Sequence, residues 1–376
     1  MINKEVVVIG GGPSGMAAAI EAAKRGAEVL MIDSNQEAGG QLFKQIHKFF
    51  GSSAHRAGVR GIDIGIELLE EAEKYGMETW LNSLAIGLFD EKTAAVEIGG
   101  DDEAKKVVLV KAEKIVICAG ASENVVRFKG WTLPGVMGAG AAQTMVNVNR
   151  VLPGKRVLMV GTGNVGLIVS YQLMQGGADV AALVDVAPGI GGYAVHASKI
   201  ARAGVPILTR HTVLEARGEE RVEQAVIVEV DDDFRPIPGT EQTIDCDTIA
   251  IGAGLKPVAE LAAMYGCEMY FNPVQGGWVP LHNRSMETSK EGIYVAGDIT
   301  GVEEANTALE EGRLAGIDAA AKLGYITEAE AAEEQKEVWE RLDGLRLGPH
   351  GENRHKAKME QIEKFSGLAG GEQQCQ

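Results

Sequence analysis

Residues 5–33 run EVVVIGGGPSGMAAAIEAAKRGAEVLMID, and their reading decides the fold. Residues 5–9 are a short apolar run, as expected of a buried parallel strand. Gly10-Gly11-Gly12-Pro13-Ser14-Gly15 follows as a G-x-G-x-x-G loop. Residues 14–25 are alanine-rich and predict a helix that ends near Gly26; residues 28–32 predict a second strand closed by Asp33. This is a βαβ unit of about thirty residues. Gly10 permits the tight turn, Gly12 lets backbone approach a pyrophosphate, and Gly15 lets helix and strand pack closely. Pro13 and Ser14 open the helix, whose unpaired N–H groups and positive dipole end attract phosphate. Asp33 is placed to accept a hydrogen bond from a ribose 2′-OH. By itself the loop indicates a dinucleotide with a ribose diol.

The pattern recurs. Residues 157–160 form an apolar run before Gly161-Thr162-Gly163-Asn164-Val165-Gly166. Residues 167–175 continue a helix, and residues 179–184 form a strand closed by Asp185 at nearly the same offset as Asp33. Asp185 favours a ribose diol and hence NAD over NADP, since a 2′-phosphate wants an arginine nearby and residues 186–193 contain none. A structural ATP or ADP, or a fold that has lost its ligand, remains compatible with this second loop.

Between and after the two units lie further expected elements: a helix over 62–75 and strands over 93–98, 106–110 and 114–118. The last of these runs into Ala119-Gly120-Ala121. Strands are expected near 206–209, 222–230 and 247–251, the last meeting Gly252-Ala253-Gly254. Residues 292–296 are closed by Gly297-Asp298, and an alanine-rich helix follows over 305–322. Residues 328–342 and 352–365 predict two charged helices, which in such segments are commonly solvated appendages or docking arms.

The chain has 376 residues and a formal net charge of −17, which argues against nucleic acid or an anionic membrane as partner. No apolar run reaches the ~20 residues of a membrane span. The start shows no signal-peptide pattern, and the four cysteines include no C-x-x-C pair, so a reducing cytoplasm is the expected compartment. His350 and His355 have no third ligand in spacing, and no metal site is expected. Cys118, on an apolar strand, reads as a small core residue.

Further stretches resemble a known family: Gly39-Gly40-Gln41; Ile117-Cys118-Ala119-Gly120-Ala121; residues 130–137 (GWTLPGVM); residues 152–156 (LPGKR); Tyr294-Val295-Ala296-Gly297-Asp298; and residues 310–316 (EEGRLAG). With the two loops, they make the chain resemble the two-dinucleotide-binding-domain flavoproteins over about residues 4–322. Within these it is most similar to the alpha-subunit group of heterotetrameric sarcosine oxidase. That group includes the hydrogen cyanide synthase B subunit, the A subunits of opine dehydrogenases and the alpha subunits of dye-linked proline dehydrogenases. The resemblance implies an α/β fold of two Rossmann-like domains, the NAD-type domain (121–250) inserted in a discontinuous FAD domain (1–120 and 251–325), with 326–376 as a charged helical tail. It makes the first loop an FAD loop. Asp298 would hydrogen-bond the ribityl chain, and Asn306 and Thr307 would place backbone N–H groups at the flavin edge. Gly40 and Gln41 would approach the ribityl side, with Ala119 and Gly120 at the domain crossover.

The chain lacks two features of the larger alpha subunits, a ferredoxin-like domain and a cysteine-rich iron–sulfur segment. It also lacks the C-x-x-C of thioredoxin reductases, so disulfide reduction is not expected. The resemblance therefore implies an FAD-dependent oxidoreductase in a hetero-oligomer, passing electrons between NAD(H) and a partner flavoprotein dehydrogenase subunit or a small iron–sulfur protein. A stand-alone NADH:acceptor oxidoreductase and a flavoprotein scaffold are the rival expectations. Residues 42–61 (LFKQIHKFFGSSAHRAGVRG) follow the Gly-Gly-Gln turn and should lie near the flavin. Lys44, Gln45 and His47 are the candidates for substrate or partner contact, with His47 suited to proton exchange near neutral pH. The alternative is that Lys44 and His47 are solvated positions on a short helix.

Overall fold

The computed structural model describes residues 1–99, 105–348 and 351–371. The chain divides into two units: Met1–Ser122 together with the chain from Lys256 onward, and Glu123–Leu255. In the first unit the elements run β1 (Ile2–Ile9), α1 (Pro13–Ala23), β2 (Val29–Ile32), α2 (Gly61–Lys74), β3 (Glu78–Trp80), β4 (Ser83–Phe89), β5 (Thr93–Ile98) and β6 (Lys106–Ile117). They pair in the order β3-β2-β1-β6-β5-β4, parallel as far as β6 and antiparallel from there. Val6 to Val8 are wholly buried because both edges of β1 are paired and both faces are covered, which is why the run carries no polar alternation.

Strand β6 corrects the sequence reading, which divided it into 106–110 and 114–118. It is one strand of 12 residues. Strand β1 pairs with it from Ile2↔Val110 to Ile9↔Ile117, across the expected break. On its other side β6 changes neighbour, from β5 (Ile98↔Lys106 to Thr93↔Lys111) to a strand that arrives late in the chain (Ile293↔Ile115). Backbone pairing carries the strand through Lys111, Ala112 and Glu113, which the sequence reading left between its two strands.

The second unit repeats the plan. After β7 (Ala121–Glu123) come β8 (Val136–Gly138), α3 (Ala139–Asn147), β9 (Arg156–Val160), α4 (Asn164–Gln175), β10 (Asp179–Asp185), α5 (Ala194–Arg202) and β11 (Ile207–Thr209). Then β12 (His211–Arg217), β13 (Gln224–Glu229), β14 (Gln242–Asp245) and β15 (Thr248–Ile251) follow. A five-stranded parallel sheet, β11-β10-β9-β15-β8, stands beside a three-stranded antiparallel sheet, β12-β13-β14. Strands β12 and β14 escaped the sequence reading. Their mixed and polar composition shows no period-two alternation, and β14 is mostly exposed.

The chain then returns to the first unit through β16 (Leu255–Pro257), α6 (Glu260–Met264), β17 (Met269–Asn272), β18 (Gly277–Pro280), β19 (Ile293–Val295), α7 (Ala305–Lys322), α8 (Glu328–Leu345) and α9 (Glu352–Gly371). Strand β19 completes the first sheet beside β6. The last two helices correct the expectation of a solvated appendage. A capping box starts α8: the Thr327 hydroxyl accepts from the Glu330 amide at 3.2 Å and the Glu330 carboxylate accepts from the Thr327 amide at 2.8 Å. Ala331, Val338, Trp339 and Leu342 are buried with the α1 and α7 core, and the Trp339 indole donates to the Arg284 carbonyl at 3.0 Å. Helix α9 buries Ala357 and Ile362 together with Lys358 and Gln361. The high charge of the segment sits on faces that turn outward or are paired.

Candidate functional site

Each of the two large sheets carries its glycine loop at the end of a strand, β1 or β9, that is flanked on both sides by parallel strands. In the first unit Gly10 has φ +105°, and a Cβ there would overlap the Cys118 carbonyl oxygen at the end of β6. A Cβ on Gly15 would overlap the carbonyl oxygen of Gly10, so helix α1 rests directly on the turn. Gly12 is the N-cap of α1, has no side-chain cap, and faces open space. Asp33 is buried and braces the loop: it accepts from the Gly11 amide at 2.6 Å and from the Asn35 amide and side chain at 2.7 Å.

The second loop is built on the same contacts. Gly161 has φ +111° and meets the Gly252 carbonyl; Gly166 meets the Gly161 carbonyl. Gly163 is the uncapped N-cap of α4 and faces open space. Asp185 accepts from the Thr162 amide and hydroxyl, both at 2.7 Å, and from the Ala187 amide at 3.0 Å. Asn164 accepts from the Tyr193 amide at 2.8 Å, and Val165 is exposed.

One shared feature was not read from the sequence. In each unit a glycine pair folds back on the loop. The Gly39 amide donates to the Gly11 carbonyl at 2.7 Å, and a Cβ on Gly40 would lie 2.8 Å from Gly12 Cα. The Gly192 amide donates to the Thr162 carbonyl at 2.9 Å, with Gly191 beside Gly163. Both pairs follow the strand-end acid by a few residues, and that spacing was the available signal.

The structure brings the distant Gly297-Asp298 to the first loop. Gly297 has φ +80°, and a Cβ there would lie 2.5 Å from the Ser14 hydroxyl. Asp298 is half-buried and accepts from the Glu303 amide at 3.3 Å. Burial, with the neighbouring charges of Glu311, Glu303 and Glu304, pushes its carboxyl up to about 7. Helix α7 begins without a side-chain cap at Glu304. In its first turn Thr307 turns back to the Glu304 carbonyl at 2.6 Å. The Asn306 side chain donates to the Phe50 carbonyl at 3.1 Å, and its Oδ1 is buried with no partner.

Ala119 and Gly120 follow Cys118 at the end of β6, next to Gly10; Gly120 has φ +73° and open space around it. Burial pushes the Cys118 thiol up to about 12, consistent with a core residue. Gln41 is exposed, and Lys44 ends a short 3-10 helix, Gly40–Lys44. His47 lies beyond that helix, half-buried and stacked on Phe49 at 6.1 Å between ring centroids. His350 and Cys375 lie outside the described residues, and His355 stands 3.7 Å from Asp343.

These features fit dinucleotides. Two uncapped helix N-termini follow glycines that face open space, each with a strand-end carboxylate, and the first unit also holds an orphaned acceptor on Asn306 at the start of α7. Among the described residues no helix is long and apolar enough to cross a membrane.

Comparison with known proteins agrees with this geometry. The profile of the pyridine nucleotide-disulphide oxidoreductase family matches residues 4–312. That family is one of FAD- and NAD(P)-dependent oxidoreductases. The chain is 29% identical over 347 residues to the opine oxidase A subunit of Agrobacterium tumefaciens, covering 86% of this chain and 66% of that protein. It is 27% identical to the HcnB subunit of hydrogen cyanide synthase from Pseudomonas aeruginosa (92% and 77%). It is 26% identical to the sarcosine oxidase alpha subunit of a Corynebacterium species, of which it spans 33%. Among solved structures, L-proline dehydrogenase of P. horikoshii superposes with a TM-score of 0.67 at 22% identity, over 89% of this chain and 59% of that one. Thioredoxin reductase of T. acidophilum superposes with a TM-score of 0.66 at 19% identity, over 86% and 99%. These likenesses establish the fold.

Proposed function

This chain belongs to the pyridine nucleotide-disulphide oxidoreductase family, and on that premise we propose that it is the FAD-bearing, NAD-linked electron-transfer component of a multi-subunit amine or amino-acid dehydrogenase. The observation that carries the reading is the duplication of one loop geometry in two units, each with its own strand-end acid. The role within a larger assembly is supported by relatives that are themselves named as subunits of opine oxidase, hydrogen cyanide synthase and sarcosine oxidase.

In this reading Gly10, Gly12, Pro13, Ser14 and Gly15 hold the FAD pyrophosphate and Asp33 its ribose. Gly40, Gln41, Ala119 and Gly120 border the cofactor, Asp298 binds its ribityl chain, and the first turn of α7 at Asn306 and Thr307 steadies negative charge at the flavin edge. Gly161, Gly163, Asn164, Val165, Gly166 and Asp185 hold NAD. FAD supplies the exchange between two-electron and one-electron chemistry that such a component needs. Lys44 and His47 lie on the segment just after the Gly39-Gly40 turn, where His47 exchanges a proton with substrate or partner. The three described cysteines are buried separately, so the reading assigns them no disulphide chemistry.

The test is purification from the native host with mass analysis of released nucleotides. The expected result is FAD, an exchangeable NAD site and the co-purification of a flavin or iron–sulfur protein. Tightly bound ATP or ADP would turn the second loop into a structural site. A chain that runs alone and turns over NADH with free acceptors would be a self-sufficient oxidoreductase.

A further inference from the structure

The turn that carries Asp298 is held from behind by buried charges that no glycine motif announces. Glu311 of α7 accepts through Oε2 from the Gly297 amide at 3.0 Å and the Thr300 hydroxyl at 2.8 Å. Its Oε1 takes Arg346, the C-cap of α8, at 2.7 Å and Lys358 of α9 at 3.0 Å. Lys358 also donates to the Thr300 carbonyl at 2.8 Å and hydroxyl at 2.5 Å. Arg346 forks to both oxygens of Glu303 at 2.9 and 2.8 Å. Gln275 reaches the same Thr300 carbonyl at 3.1 Å and is held by Gln361 of α9 at 2.6 Å.

The side chains of Arg346 and Lys358 are each 1% exposed and that of Glu311 4%, so water does not screen them. Two acids meet two bases; burial and Arg346 lower the Lys358 ammonium, and Glu311 and Glu303 oppose that shift. Burial alone would raise the Glu311 carboxyl; Lys358 and Arg346 hold it below the usual carboxylate range. Replacing a buried ion set by well-packed apolar residues is often neutral or stabilising. What apolar residues do not supply is a directed acceptor for the Gly297 amide and the Thr300 hydroxyl.

We propose that Arg346 and Lys358 are positioning residues for the cofactor site: the C-terminal end of α8 and helix α9 deliver the cations that pair with Glu311, and Glu311 fixes the Gly297–Thr300 turn that presents Asp298. The inference rests on the reading that Asp298 borders FAD. The segment that the sequence suggested was an appendage is thereby part of the site's support.

The test uses the full chain. Lys358→Met leaves Glu303 and Glu311 with a single cation. It should raise the Kd of the apo-chain for FAD by about tenfold or more, on the scale of breaking a buried pair, and lower the flavin midpoint potential. Adding Glu311→Gln, which keeps an acceptor and removes the charge, should restore most of both losses. Leu342→Ala, a packing lesion on α8, should lower Tm while leaving Kd and potential near wild type. The inference is overturned if Lys358→Met matches wild type, if the two substitutions simply add, or if Leu342→Ala loses FAD equally. A wild-type chain without FAD would sink the functional reading instead. The lock would then be read by hydrogen exchange at the Gly297 amide, which should lose protection in Lys358→Met and keep it in Leu342→Ala; equal protection in both variants refutes it.

Discussion

Gly312 meets Ser14 with no space for a side chain between them: a Cβ on Gly312 would overlap the Ser14 carbonyl oxygen. One turn on, Gly316 stands in the same relation to the Ala18 carbonyl. Helices α1 and α7 therefore touch backbone to backbone, and Ser14 also receives Gly297. Residues from opposite ends of the chain become one wall of the first loop. Gly312→Val should separate the helices, cost about 1–3 kcal/mol or more in chemical denaturation, and release FAD. Unchanged stability with FAD retained would refute the close approach.

The two loops should be separable by mutation. Gly15→Ala places a methyl on the Gly10 carbonyl, and Gly166→Ala does the same at Gly161. The first should yield a chain without flavin absorbance. The second should keep the flavin band but lose its bleaching by NADH. Loss of flavin from Gly166→Ala would count against independent sites.

Helix α8 should behave as core. Trp339 is 6% exposed, so Trp339→Ala should cost about 3–5 kcal/mol. A solvated appendage would respond within about 0.5 kcal/mol. Urea unfolding distinguishes the two.

His55 should make the 42–61 segment acid-sensitive. It is buried, bonded to Ser52 at 3.0 Å, and stands 3.4 Å from Glu310, which also binds Arg313 and Arg341. Burial lowers its pKa below 6.5, with Arg313 and Arg341 adding to the effect and Glu310 opposing it. A depressed folded-state pKa gives stability that is present above pH 6.5 and lost as pH falls through the folded value. Limited proteolysis near residues 50–60 should accelerate in that window, and His55→Gln should flatten the response. A pH-independent cleavage rate in the wild type would refute this.

Asp298 acts with the opposite sign. Its carboxyl is raised from 3.8 to about 7, so the apo-chain loses stability as pH rises across that interval. Asp298→Asn should remove this slope and raise the apo Tm at pH 8, while weakening FAD binding. A Tm profile unchanged by the substitution would show that the group is not strained when ionised.

Much of the fold was legible because βαβ units announce themselves locally. The apolar runs before Gly10 and Gly161, the glycine spacing and the acids at 33 and 185 are all short-range signals. Strand β6 was divided because the polarity of Lys111 and Glu113 outweighed a pairing that only β1 could reveal. Strands β12 and β14 carried no alternation to detect. Helix α8 was read as solvated because its glutamates outnumber the few residues it buries.

The sequence by itself determined the fold class and both glycine loops, since these depend on residues close together along the chain. The tertiary structure decided what stands around them: Ser14 against Gly297 and Gly312, Asn306 beside Phe50, Glu311 between Arg346 and Lys358. Composition marked residues 328–365 as charged. Whether those charges face water or each other depends on partners far away in sequence, and only packing into a low-dielectric interior makes Arg346 and Lys358 answer to Glu311.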